Sequence, residues 1–188
     1  MSDPRRTPVN DRVAAAHLAS AFPGREVVTG TAAQVAVTVS DLRRAPGGAR
    51  DRQLVFGEQV SCYETRDGWC FVQAGKDGYV GYVAADSLTP EAGAASHWVS
   101  APATHAYTAD DFKSPETLAL SHGSRVQVLG GTGRFTGRFL QTSLGFIPAR
   151  HLSPAAAAGA PAPSPLSLSP ATATTATAAN TPDMRRVI

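Results

Sequence analysis

Apolar positions along this chain alternate in short runs and do not recur at helical spacing. Val35, Val37 and Val39 alternate, Val60 and Cys62 alternate again, and each run is bounded by Gly, Pro, Asp or Arg. Alternation of period two predicts half-buried strands. Between these two runs "DLRRAPGGARDRQ" reads as a long loop. "ETRDGW" then predicts a hairpin turn in which Gly68 takes positive φ, with Trp69 to Val72 as the return strand. "GKDG" supplies a second turn before a strand over Tyr79 to Val83.

The pattern is then repeated. "VGYVAADSL" (Val80 to Leu88) and "LGFIPARHL" (Leu144 to Leu152) start 64 residues apart, and "FGEQVSCYE" at Phe56 is echoed by "HGSRVQVLG" at His122. Gly81 and Gly145 fall inside the expected strands, where glycine marks a bulge or a close approach of backbone. Tyr82 and Val83, like Phe146 and Ile147, read as an apolar plug, and "ADSL" and "ARHL" as single helical turns pinning Leu88 and Leu152 over an open barrel end. Five short strands per copy can close a small barrel, which removes exposed edges. The fold class is therefore all-β: a head over residues 1–29, one barrel over 30–90, a second over 94–153, and a tail over 154–188. The short join "TPEAGAAS" predicts apolar burial between the barrels. "VAAAHL", with His17, reads as a short helix capped by Asn10 or as a leading strand, in a poorly packed head. From Pro154 to Pro182 every residue but Leu166, Leu168 and Asn180 is Ala, Pro, Ser, Thr or Gly, which predicts disorder.

Charge and motifs narrow the function by exclusion. With 17 Lys and Arg against 15 Asp and Glu, the net charge of +2 neutralises too few phosphates to make nucleic acid an expected partner. No run of eighteen apolar residues predicts a membrane span, and the N-terminus lacks the apolar core of a signal peptide, so the expected compartment is the cytoplasm. Cys62 and Cys70 are too few for a disulfide framework or a four-ligand zinc site, and as mid-strand residues they read as small buried apolar groups, not nucleophiles. The five histidines show no ligand spacing, so neither metal nor cofactor is expected. "GGTGRFTG" lacks the ending of a phosphate loop and reads as an enlarged hairpin loop.

The order "APGG", "RDRQLVFGE", "RDGW", "FVQA", "DGYVGYVA" resembles the first bacterial SH3 domain of the NlpC/P60 cysteine peptidases of dipeptidyl-peptidase VI type, which cleave peptidoglycan peptides. "HWVSAPATHAY", "LALSHGSRVQVLG" and "GFIPARHL" resemble their second SH3 domain, and "TPVNDRVA" resembles their start. The resemblance implies two tandem SH3-like barrels. In that family a catalytic domain follows, with its nucleophile in an Asp-Cys-Ser-Gly segment; here no cysteine follows Cys70, so no catalytic residue is assigned. The expected function is a non-catalytic module that binds peptidoglycan peptides. The alternative is a truncated or frameshifted remnant of a γ-D-glutamyl-L-diamino acid endopeptidase, and a purely structural module stays open. Expected partners are cell-wall stem peptides, held weakly, and a separate NlpC/P60 catalytic domain. Arg43 and Arg44, with Arg50 and Arg52, are expected to rim a groove with charge suited to carboxylates. Tyr79 is the aromatic that the resemblance implies faces the cleft, and Trp69 either joins it or fills the barrel core.

Overall fold

The computed structural model of the chain describes residues 3–90, 93–131 and 138–155. The expected disordered tail from residue 156 onward, Glu91 and Ala92 of the join, and most of the Gly130–Gly137 loop lie outside the described residues. No helix among those described exceeds a single 3-10 turn, and all other regular structure is strand.

The first barrel is one sheet of seven strands: β3 (Thr31–Val35), β4 (Val39–Arg43), β5 (Arg50–Val55), β6 (Gln59–Arg66), β7 (Trp69–Ala74), β8 (Val80–Ala84) and β9 (Leu88–Pro90). Their order in the sheet is β5-β4-β8-β7-β6-β3-β9. Two short head strands, β1 (Val13–Ala15) and β2 (Glu26–Val28), pair in parallel apart from it. Val35, Leu42, Leu54, Val60, Cys70, Val72, Ala74 and Val83 form the core. The segment expected as a long loop is instead a hairpin, turning only over residues 44–49. Its alternation was hidden because one residue in two points inward (Leu42 and Leu54, fully buried) while the outward positions are nearly all polar or charged.

The second barrel repeats this pairing with one strand broken in two. It comprises β10 (His97–Val99), β11 (Ala103–Tyr107), β12 (Glu116–Ser121), β13 (Arg125–Val126), β14 (Val128–Gly131), β15 (Phe139–Thr142), β16 (Gly145–Pro148) and β17 (Leu152–Pro154). β13 and β14 together stand where β6 stands in the first copy, β13 pairing with β10 and β14 with β15. Contacts recur at the 64-residue offset: Arg43 opposes Tyr82, and Tyr107 opposes Phe146. Ser40 meets Ser87 at 2.9 Å, and Thr104 meets His151 at 2.8 Å, so each predicted helical turn is tied to the barrel wall by one side-chain hydrogen bond. Of the expected plugs, Val83 and Ile147 are buried, whereas Tyr82 and Phe146 lie on the outer face, as strand alternation requires.

The head departs from expectation. Val13, Ala14 and Ala15 are 3%, 0% and 1% exposed, so it is packed and not loose. Asn10 Oδ1 accepts from the backbone N–H groups of Arg12 and Val13 at 2.8 and 2.7 Å, a turn that starts β1 and leaves His17 in a following 3-10 turn. Such a local Asn bond is also what a helix cap would show, hence the two readings of this segment.

The barrels meet at Phe56 and Gly57. Phe56 packs against the second core, Val99, Ala106, Leu120, Val126, Ile147 and Leu152, while its carbonyl accepts from Arg125 N–H at 2.8 Å. The Thr38 hydroxyl donates to the Ala119 carbonyl at 2.8 Å, and residues through Ala155 form one unit. A Cβ on Gly57 would lie 2.1 Å from the Arg125 carbonyl oxygen, and its φ is +75°. Gly68 has φ +78° with nothing within 4 Å. Gly68→Ala should therefore cost only the left-handed backbone penalty, about 1 kcal/mol, whereas Gly57→Ala adds a backbone clash and should cost about 3 kcal/mol or more. Urea unfolding of the two variants checks the difference; equal costs would show that the barrels do not depend on this contact.

Candidate functional site

Along β7 the side chains of Cys70, Val72 and Ala74 enter the core, and those of Trp69, Phe71 and Gln73 face outward. Phe71 is nevertheless 3% exposed, which requires a second layer over this face. Tyr63 and Tyr82 stack beside it, with ring centroids 6.3 and 5.2 Å away. The head lands here. Gln73 Nε2 donates to the Arg6 carbonyl at 3.2 Å, and Asn10 Nδ2 donates to Glu64 Oε2 at 3.0 Å and to the Tyr82 hydroxyl at 3.3 Å. Arg12 clasps Glu64 in a two-pronged pair, Nε to Oε1 at 2.6 Å and Nη2 to Oε2 at 2.8 Å. That pair and the Asn10 bond hold the Glu64 carboxyl below its usual range and push the guanidinium of Arg12 upward.

A groove of about 250 Å³ opens beside this pair, lined by Arg12, Pro46, Glu64, Arg66, Trp69 and Tyr82 among others. Trp69 is thus half-buried on the outer face and not core. The other residues expected to bind ligand are placed differently. Arg43 donates to the Gly48 carbonyl at 2.8 Å and to Asp41 at 2.8 Å, and Arg44 pairs with Asp51 at 2.7 Å. Arg50 lies 3.6 Å from Asp41, and Arg52 pairs with Asp77. Each of the four arginines lies against a carboxylate, Arg43 and Arg50 sharing Asp41, so the expected positive rim is largely but not fully neutralised, four arginines standing against three aspartates. Asp41 is held low, first by the Gln53 amide and then by Arg50 and Arg43. Tyr79 stands elsewhere, its ring under the guanidiniums of Arg5, Arg6 and Arg52 at 5.7, 5.3 and 5.2 Å.

Arg12 and Glu64 were not singled out from sequence, and Tyr82 was expected as an apolar plug, not as a site residue. In "VSCYE" Glu64 falls in the inward phase with Val60 and Cys62, and only the slip of β6 against β7 turns it outward; Arg12 then reaches it across 52 positions, and no local pattern announces such a pair. Burial pushes the Cys70 thiol up, as does its neighbour Cys62, so Cys70 lacks the depressed value of a nucleophile.

Residues 42–88 match the family model of the bacterial dipeptidyl-peptidase SH3 domain. The matched segment contains Arg43, Arg44, Glu64, Trp69, Tyr79 and Tyr82; the head residues Asn10 and Arg12 lie outside it. Among solved structures, an NlpC/P60 family protein from Bacillus cereus is similar with a TM-score of 0.52 and 14% identity, over 66% of this chain and 56% of that one. Two Trichomonas vaginalis proteins also match: NlpC2 (TM-score 0.29, 15% identity, 66% of this chain and 48% of that one) and NlpC1 (0.30, 13%, 81% and 50%). At such identities the Bacillus cereus likeness is one of fold, and this chain spans little more than half that protein's length. No curated protein matches the chain.

The site makes an acid-stability prediction. A carboxyl held below its ordinary value stabilises the fold above that value and loses the contribution as pH falls through the lowered one. From about pH 4.3, the usual Glu value, downward, the wild type should therefore lose stability more steeply than Glu64→Gln. Thermal melts from pH 7 to pH 3 check this, and parallel curves would mean that the Arg12 pair contributes nothing to holding the head.

Proposed function

We propose that the chain is a non-catalytic module that binds cell-wall stem peptides and works beside a peptidase of the NlpC/P60 kind. The observation that carries this reading is the groove at Trp69 and Tyr82, in the barrel that matches the dipeptidyl-peptidase SH3 domain. A stem peptide such as L-Ala-γ-D-Glu-diamino acid carries ammonium and carboxylate groups together. The groove offers both countercharges, with Arg12 and Arg66 against Glu64 and Asp67, and each already has a partner that a ligand can exchange. The aromatic rings give apolar contact for the alanyl end. Ligand recognition thus falls to Trp69 and Tyr82, while Arg43 and Arg44 hold the hairpin that carries Pro46. Both cysteines are free, which suits the cytoplasm as the place where released stem peptides would be met.

Binding should be weak because the groove encloses a ligand on few sides, with dissociation constants of about 1 mM at best, or about 4 kcal/mol. A second reading, the front half of a cysteine endopeptidase, is favoured by the Bacillus cereus likeness, which leaves 44% of that chain uncovered, the complement of the 56% that is covered. An NMR titration with the tripeptide tests the first. Shifts should centre on the Trp69 indole and Tyr82, weaken with added salt, and vanish in Trp69→Ala; a silent spectrum at several times the expected constant removes the binding reading. Release of L-Ala-γ-D-Glu by the purified chain would overturn its non-catalytic character.

A further inference from the structure

A larger cavity, of about 380 Å³, lies away from the groove, and both cysteines line it. Its walls come from β3, β6, β7 and β9, with Ala33, Thr65, Leu88 and Pro90 around the two thiols. Strand β6 produces the convergence. Its register against β7 slips between Cys62 and Glu64, so that Cys62 opposes Val72 whereas Thr65 opposes Cys70. The Thr65 hydroxyl then stands 3.5 Å from Cys62 Sγ and 3.3 Å from Cys70 Sγ, and one oxygen collects both sulfurs. Cys70 is 5% exposed at the core end, and Cys62 is half-buried toward the opening. The Cys62 sulfur also lies 3.6 Å from the Glu64 carbonyl. A pair of soft donors in a wall of mixed threonine and apolar side chains, open on one side, is a ligand set without an assigned ligand.

We propose that Cys62 and Cys70 form a two-coordinate site for a thiophilic monovalent cation, Cu(I) by class. Thiolates select soft d10 ions, and no third His, Cys, Asp or Glu stands with the pair among the described residues, which leaves the set short of the four ligands that Zn(II) takes. A direct disulfide fits the register less well. Diagonal cross-strand neighbours stand about 7–8 Å apart, beyond the usual Cα separation of roughly 4.4–6.8 Å. A bridging metal adds two metal–sulfur bonds of about 2.3 Å each and spans that gap. On binding, each thiol releases its proton to solvent and forms one S–Cu bond; copper enters and stays as Cu(I), and no electron is transferred.

The test is anaerobic titration of the reduced full chain with Cu(I), followed by near-ultraviolet thiolate-to-copper absorption and by competition with a Cu(I) chelator. One equivalent should bind, and Cys62→Ser should weaken it by roughly 100-fold or more. Cys62 is the half-exposed member, so its replacement leaves the core closed; Cys70→Ser, if it folds, should behave alike. An absence of stoichiometric binding, or binding unchanged in Cys62→Ser, would overturn the proposal. So would a two-hydrogen mass loss on mild oxidation of the metal-free chain, which would assign the pair to a disulfide.

Discussion

Backbone lying directly on backbone at Gly81 and Gly145 is the constraint from which both barrels follow. A Cβ at Gly81 would stand 2.7 Å from the Arg43 carbonyl oxygen, and one at Gly145 would stand 2.2 Å from that of Tyr107. No side chain fits at either place. Where β8 crosses β4, and β16 crosses β11, that approach sets which residues oppose one another. Because side chains alternate at period two, one such anchor decides the facing of the whole strand. Val83 and Ile147 go to the cores, and Tyr82 and Phe146 go outside. The groove inherits its Tyr82 from this decision, so the same glycine that closes the barrel places an aromatic ring where a ligand can reach it.

Burial and charge divide the work at the head. Full burial of a Phe-sized side chain contributes about 1.5–3 kcal/mol, and Phe71 obtains it although it points away from the barrel core. Exposed ion pairs are weak sources of stability, so the Arg12 clasp on Glu64 chiefly sets where the head lies. Its two-pronged geometry fixes direction as well as distance, which a lysine in the same place would not do. The arginine pairs in the β4–β5 hairpin follow the same rule. Asp41 takes Arg43 and Arg50, Asp51 takes Arg44 and Asp77 takes Arg52, and the short turn that presents Pro46 to the groove is held in shape by these pairs.

The two barrels touch at the bend that carries Phe56 and Gly57. Phe56 leaves one core to pack on the other, and Gly57 lets the following backbone press against Arg125. Gly123 occupies the corresponding bend of the second copy with φ +86°, but only the side chain of Val55 lies near it, at 4.0 Å. The bend therefore faces the other barrel in both copies, but only Gly57 presses backbone against backbone there.

By itself the sequence determined the repeat, the all-β class, the Gly68 hairpin and the two helical turns, because each rests on residues close along the chain: alternation, turn glycines, a recurring segment ending. It also brought Trp69 into consideration. The β4–β5 hairpin was legible only in part, since a strand with two inward leucines and charged outer positions reads as loop until the pairing partner is known. What only the tertiary structure decided was everything that depends on distant segments meeting. The burial of Phe71 on the outer face beside Tyr63 and Tyr82, the Arg12–Glu64 clasp, the ties of the helical turns to the barrel wall, the pairing of four arginines with three aspartates, and the convergence of two thiols on Thr65 are all of this kind. Their causes are a register slip, a strand crossing and a chain reversal, which act between residues that no local pattern relates.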